Sequence, residues 1–214
     1  MRTRIKFCGL TRAEDVDTAV ALGVDAVGFV FYPKSPRCLD PSQAALLRRR
    51  LPSYVCSVGL FVNEPVARVR EVAGTVGLDV LQLHGDETPE DCALAASDHL
   101  AYWKAVRMRG PADLLESLAS FGAAEALLLD SFSEGFGGSG QRFDWSWIPQ
   151  QRGRPLVMSG GLDAASVGEA IARVRPMAVD VSSGIQGSDA RMKDHAKMER
   201  FVAAVVCADA GLTA

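Results

Sequence analysis

Short apolar runs recur along this chain, and most are followed by a stretch that carries a helix-start signal. The first run, Ile5 to Cys8, passes through Gly9-Leu10 into Thr11-Arg12-Ala13-Glu14. That Thr-x-x-Glu spacing predicts a capping box opening a helix through Leu22, with Gly23 closing it. A second run, Asp25 to Phe31, is continuously apolar after its first residue, as expected of a parallel strand covered on both faces. The pattern then repeats. Strands are predicted at Val55–Val62, Val80–Leu83, Trp103–Val106, Ala126–Leu129, up to Ser159, and up to Val181. Helices are predicted at Pro41 to about Arg50, Pro65 to about Val76, after Asp86 with Pro89 in the first turn, at Pro111 to about Ser120, after Asp163, and at about Ala190 to Ala208. Two loops interrupt the rhythm, a Pro-rich one from Tyr32 to Asp40 and a Gly-rich one from Ser131 to Gln141, which reads as a functional loop.

About eight strand-then-helix units imply an α/β fold with a parallel sheet, and the (β/α)8 TIM barrel is the architecture that suits them. A doubly wound open sheet has the same local pattern. No GxGxxG follows the first strand, which counts against it. The chain has 214 residues, 48% of them hydrophobic and 23% charged, a size that one barrel domain spanning 1–214 accommodates. No internal repeat or linker is visible.

Charge and cysteine usage narrow the function classes. A formal net charge of -3, with no basic stretch interleaved with aromatics, gives no reason to expect nucleic acid. The N-terminal basic residues precede only a strand-sized apolar segment, which fails as a signal peptide, and no stretch is long enough to cross a bilayer. The five cysteines are scattered and lack CxxC spacing, which fits a reduced cytoplasm rather than a disulfide framework. The three histidines are equally scattered, so no metal site is expected.

In a barrel the chemistry sits at the C-terminal ends of the strands. Those ends carry Cys8, the loop with Arg37, Asn63, His84, Arg107, Asp130, Ser159-Gly160-Gly161 and Asp180 to Gly184. The two last, small-residue endings occupy the places where barrels usually bind phosphate through backbone N–H groups, which suggests a phosphorylated small molecule. Cys8 reads either as a small buried hydrophobe or as a nucleophile or base that needs a cationic neighbour; Lys6 shares its strand face. Asp130, at the end of Leu127-Leu128-Leu129, is either a loop cap or a general acid. Arg37 is a solvated charge or a bidentate clamp for a carboxylate. His84 is structural or part of the site, and Asp180 holds a ligand hydroxyl or only neighbouring backbone.

Taken in order, Lys6-Phe7-Cys8-Gly9-Leu10-Thr11, Gly28-Phe29-Val30-Phe31 with Ser35-Pro36-Arg37, Val58-Gly59-Leu60-Phe61, Gln82-Leu83-His84-Gly85, Leu129-Asp130, Gly137-Gly138-Ser139-Gly140, Ser159-Gly160-Gly161-Leu162 and Val179-Asp180-Val181-Ser182-Ser183-Gly184 resemble phosphoribosylanthranilate isomerase. The match ends with Lys193-Asp194 and Lys197. The resemblance implies a single-domain barrel of tryptophan biosynthesis that converts N-(5-phosphoribosyl)anthranilate to the 1-deoxyribulose 5-phosphate product by an Amadori rearrangement, with no cofactor and no metal. It implies a cytoplasmic enzyme, monomer or homodimer, whose partner is its small-molecule substrate, with no nucleic acid and no membrane. Position by position, it makes Cys8 the general base and Asp130 the general acid, and it places Arg37 on the anthranilate carboxylate. His84 and Asp180 become substrate-binding residues, joined by Gly138 in the loop after strand 6. Gly160, Gly161, Ser183 and Gly184 fall at the phosphate. Three positions depart from the family's common pattern: Gln186 replaces its usual glutamate, Ser159 an alanine and Ser166 an asparagine. The related isomerase of histidine biosynthesis uses two aspartates and a half-barrel repeat, neither matched here. Indole-glycerol-phosphate synthase would want more lysines than Lys104. A catalytically silent, sugar-phosphate-binding barrel would lack the acid or the base.

Overall fold

Alternate residues of the first strand, Arg4–Cys8 (β1), face opposite ways, and this alternation places two functional groups inside the fold. Ile5 and Phe7 join the large apolar layer beneath the helices, where Phe7 meets Phe201 edge-on with ring centroids 6.1 Å apart. Such a ring pair contributes about 1 kcal/mol beyond area burial. Lys6 and Cys8 take the other face. The computed structural model describes residues 2–96, 100–132 and 142–212.

The remaining strands are Ala26–Val30 (β2), Cys56–Phe61 (β3), Val80–Leu83 (β4), Ala101–Met108 (β5), Ala126–Ser131 (β6), Leu156–Met158 (β7) and Ala178–Val181 (β8). All pair in parallel in chain order, and β8 returns to β1 with Lys6 opposite Asp180, so the barrel is closed. Helices Ala13–Ala21 (α1), Pro41–Arg48 (α2), Val66–Val76 (α3), Pro89–Ala96 (α4), Pro111–Ser120 (α5), Val167–Val174 (α6) and His195–Leu212 (α7) surround it. Between β6 and β7 the described residues form only a short 3-10 turn, Trp145–Trp147.

Two apolar layers explain why the strand runs are continuous. Ala26, Val58, Trp103, Leu128, Val157 and Ala178 plug the barrel interior, and a larger layer fills the space between strands and helices. A strand buried on both faces has no polar side to alternate with. Beneath the site the interior is thus a packed floor that excludes water from one end.

Two expectations about element starts need correction. Thr11 does not cap α1: its hydroxyl donates to the Arg191 carbonyl at 2.6 Å, and the N-cap position falls to Arg12, whose side chain makes no cap hydrogen bond. The guanidinium of Arg12 instead pairs with buried Asp15 at 2.8 Å. A partner distant in sequence has displaced the local one. The helix expected after Asp163 is present and begins at Val167, once the Asp163 carboxylate has accepted N–H groups from Ala165 and Ser166 and held them in a turn. The last helix begins at His195, not near Ala190, since Gln186 and Lys193 form an antiparallel bridge; the Asp194 side chain then accepts the Lys197 N–H at the helix start.

Candidate active site

At the C-terminal rim a cavity of about 100 Å³ is bounded by Cys8 from β1, Arg37 after β2, Gln82 from β4 and His84 just after it, and Asp130 from β6. The loops after β7 and β8 complete it with Ser159, Gly160, Gly161, Leu162, Ser182 and Ser183. Asp180 reaches it from within β8.

Cys8 belongs to a buried ionic cluster. Lys6 Nζ donates to Asp180 Oδ1 at 2.7 Å, and Ser159 Oγ donates to Asp180 Oδ2 at 3.1 Å. Burial works against the Lys6 ammonium, but Asp180 and Cys8 outweigh it and hold the lysine above its ordinary value. Burial pushes the Cys8 thiol up; Lys6 and Lys193 pull it back, while Asp180 adds to the rise. Gly28 on β2 makes room for the sulfur: a Cβ there would lie 2.8 Å from Cys8 Sγ and 3.2 Å from Lys6 Cε. The thiol therefore occupies a site that only a glycine neighbour leaves open.

Lys193 approaches from the segment before α7. Its ammonium donates to the Ser182 carbonyl at 3.0 Å, and Ser182 Oγ donates to the Cys8 carbonyl at 3.0 Å, which ties the β8 loop to the β1 end. Burial, reinforced by the nearby Arg37 charge, lowers the Lys193 pKa to about 8. Arg37 itself donates from its terminal nitrogen to Gln186 Oε1, while its Nε is buried with no partner among the described residues. An unfilled guanidinium donor at the cavity wall is suited to a carboxylate.

Across the rim, Asp130 accepts the Ser131 N–H on Oδ1 at 2.9 Å and meets His84 Nε2 through Oδ2 at 3.1 Å. Gly160 takes φ +78 in the turn after β7; a Cβ there would come within 2.6 Å of the Ser131 amide nitrogen and 3.1 Å of Asp130 Oδ1. The turn can press against the carboxyl only without a side chain.

The residues expected at the rim divide accordingly. Cys8, Arg37, His84, Asp130, Ser159, Gly160, Gly161, Asp180 and Ser183 line one cavity. Gly184 lies just beyond it, packed against the loop after β7, where a Cβ would stand 3.1 Å from the Asp163 Cα. Asn63 and Arg107 do not line it. Asn63 accepts the Asp86 N–H through its side chain, and Arg107 pairs with Asp86, so both brace the loop after β4. Gly138 lies outside the described residues. Sequence reading gave no role to Gln82 or Ser182, and took Lys6 only as a strand neighbour of Cys8. A lysine between Ile5 and Phe7 in an apolar strand was the available signal for an inward-facing charge.

A closed parallel barrel with a rim cavity at these strand ends defines an α/β-barrel enzyme. Comparison with known proteins says which kind. A sequence profile of N-(5'-phosphoribosyl)anthranilate (PRA) isomerase matches residues 5–204. An N-(5'-phosphoribosyl)anthranilate isomerase of Dechloromonas aromatica (strain RCB) is 53% identical over 209 residues, covering 98% of this chain and 99% of its own. The crystal structure of phosphoribosyl anthranilate isomerase from Thermotoga maritima superposes with a TM-score of 0.89 at 42% identity, over 96% of this chain and 99% of that one. A crystal structure of phosphoribosyl anthranilate isomerase in complex with reduced 1-(o-carboxyphenylamino)-1-deoxyribulose 5-phosphate gives a TM-score of 0.86 at 40% identity, over 96% and 99% of the two chains. The chain belongs to the N-(5'-phosphoribosyl)anthranilate isomerase family, and its activity is the isomerisation for which that family is named. No helix among the described residues is long and apolar enough to cross a membrane.

Proposed function

We propose that this barrel carries out its step of tryptophan biosynthesis by general acid–base catalysis between Cys8 and Asp130. The observation that carries the reading is a single cavity that gathers Cys8, Asp130, Arg37 and the two small-residue loops after β7 and β8. The Asp130 carboxyl gives its proton to the furanose ring oxygen as the C1–O bond breaks, and the anthranilate nitrogen lone pair forms the C=N bond of a Schiff base. The Cys8 thiolate then takes the C2 proton, and the C–H electrons move into C1=C2 to leave an enolamine, which tautomerises to the ketose. Every step moves a proton or an electron pair within the substrate or to these two side chains, so no metal or cofactor is required.

Arg37 holds the anthranilate carboxylate through its unfilled Nε. The backbone N–H groups of Gly160, Gly161, Ser183 and Gly184 hold the phosphate, where small side chains let an anion approach. His84 and Asp180 support the sugar chain and the two reacting groups. The elevated thiol has a double effect: few molecules carry thiolate at neutral pH, but each thiolate is a strong base. Pairing of β1 with β8 supports one barrel domain over 1–214, and the absence of cystine-like cysteine spacing supports a cytoplasmic setting.

The test is the loss of anthranilate fluorescence when purified protein meets freshly generated phosphoribosylanthranilate, beside the Cys8→Ala variant and with a chelator present. Rapid turnover by the parent, insensitive to the chelator and lost in the variant, supports the reading. Equal turnover by both proteins, or metal-dependent turnover, overturns it.

A further inference from the structure

Gln82 and His84 alternate along the end of β4 and face the same cavity, with Gln82 1% and His84 6% exposed. The amide nitrogen of Gln82 lies 2.9 Å from His84 Nδ1. With the amide nitrogen set toward the ring, Nδ1 is the accepting nitrogen and the neutral ring carries its hydrogen on Nε2. Nε2 stands 3.1 Å from Asp130 Oδ2 and therefore donates to it. Gln82 Oε1, in contrast, is buried with no partner among the described residues. A buried acceptor without a donor costs free energy until one arrives.

We infer that Gln82 is a positioning residue: it fixes the His84 tautomer so that the imidazole N–H faces Asp130, and its free oxygen accepts a hydroxyl of the sugar chain. The inference rests on the proposed acid role of Asp130. Two effects follow from the geometry. First, when Asp130 has given up its proton, both carboxylate oxygens already have donors, His84 Nε2–H and Ser131 N–H. Donors set before the reaction stabilise the developing charge without reorganisation. Second, an amide N–H aimed at Nδ1 occupies the position of a second ring proton. A sugar hydroxyl bound to Oε1 keeps the amide from turning over, so substrate binding and the state of the acid are coupled through one side chain. The other charged groups nearby, Lys104 from β5 and Glu87, pair with each other at 3.0 Å, and Lys104 also holds the Leu83 and Gly85 carbonyls on either side of His84.

The experiment combines nitrogen NMR of histidine-labelled protein with kinetics of Gln82→Met and Gln82→Glu. The parent ring is expected as the Nε2–H tautomer. Gln82→Glu, whose carboxylate accepts at Nδ1, is expected to add a proton there, to narrow the pH–rate profile and to lower kcat about tenfold to a hundredfold. Gln82→Met is expected to lower kcat by a similar factor with a smaller change in KM. A parent Nδ1–H tautomer overturns the inference whether or not either variant folds, and so do parental kcat and pH profiles in both variants. Failure of the acid assignment reads differently: Asp130→Asn would keep its turnover while the tautomer remained as stated.

Discussion

Lys6 and Asp180 are opposite one another in the β1–β8 ladder and meet at 2.7 Å, with side chains 1% and 5% exposed. Cys8 lies two residues further along the same face of β1, so three ionisable groups share one dry site. Ammonium, carboxylate and thiol together are neutral; ammonium, carboxylate and thiolate carry a net negative charge. Burial disfavours the second state, which is why the thiol stands above its ordinary value although a cation touches it. Asp180 thus competes with the thiolate for Lys6.

Asp180→Asn is expected to move the thiolate-dependent limb of the pH–rate profile to lower pH. The sign follows from the charges: with Cys8 as the proposed base, activity rises as the thiolate forms, Asp180 raises the thiol, and its removal leaves the thiolate as the counter-ion of Lys6. Lys6→Met is expected to move the limb to higher pH, since the chief cation that pulls the thiol down is lost. Profiles of kcat/KM, with thiolate ultraviolet absorbance as a second reading, decide it; limbs displaced in the opposite directions would contradict the charge argument.

Cys8→Ala and Asp130→Asn are each expected to lower kcat by at least about a hundredfold, the usual effect of removing a general acid or base. KM should change far less, because the proposed Arg37 and phosphate contacts remain. Steady-state kinetics test this, and a loss confined to KM would reassign either residue to binding.

Lys193 is expected to give the parent protein a stability term that grows with pH. Its pKa is near 8 in the folded state against an ordinary value of 10.5, so between these values the unfolded chain binds more protons than the folded one. The term is fully unfavourable below about pH 8 and is relieved as pH rises toward the unfolded value. Its span is on the order of 3 kcal/mol. The stability difference between parent and Lys193→Met, from urea unfolding at several pH values, should rise across this window. A flat difference would mean that the lysine is not held in a charge-penalising site.

Gly28→Ala is expected to fold and to lose activity by tenfold or more, on the order of what displacing a reacting group from its productive position costs. The added Cβ would stand 2.8 Å from Cys8 Sγ, so the sulfur must turn away from the cavity. Circular dichroism with kinetics checks both halves. Parental turnover would show that the thiol position is not constrained by β2.

The parallel strands were readable because burial on both faces demands uninterrupted apolar runs, and their C-terminal ends pointed to Cys8, Asp130 and Asp180 directly. What escaped were groups whose role depends on a partner distant in the chain. Thr11 has the local signature of a helix cap, yet its hydroxyl goes to the Arg191 carbonyl. Lys193 comes beside Cys8 only through a loop that returns from β8 and bridges to Gln186. Local spacing records the elements, and such cross-chain partnerships are not written in it.

Closure of the ring joins the first strand to the last, and the seam runs through Lys6 and Asp180. On a ribosome, β1 emerges seven strands ahead of β8 and waits for all of them before its second neighbour exists. Until β8 arrives, the Lys6 ammonium keeps water as its counterpart, which holds that edge of the nascent sheet wet and unattractive to other strands. Assembly of the proposed base and sealing of the fold are therefore the same event, and a chain stalled before β8 would be both open and inert.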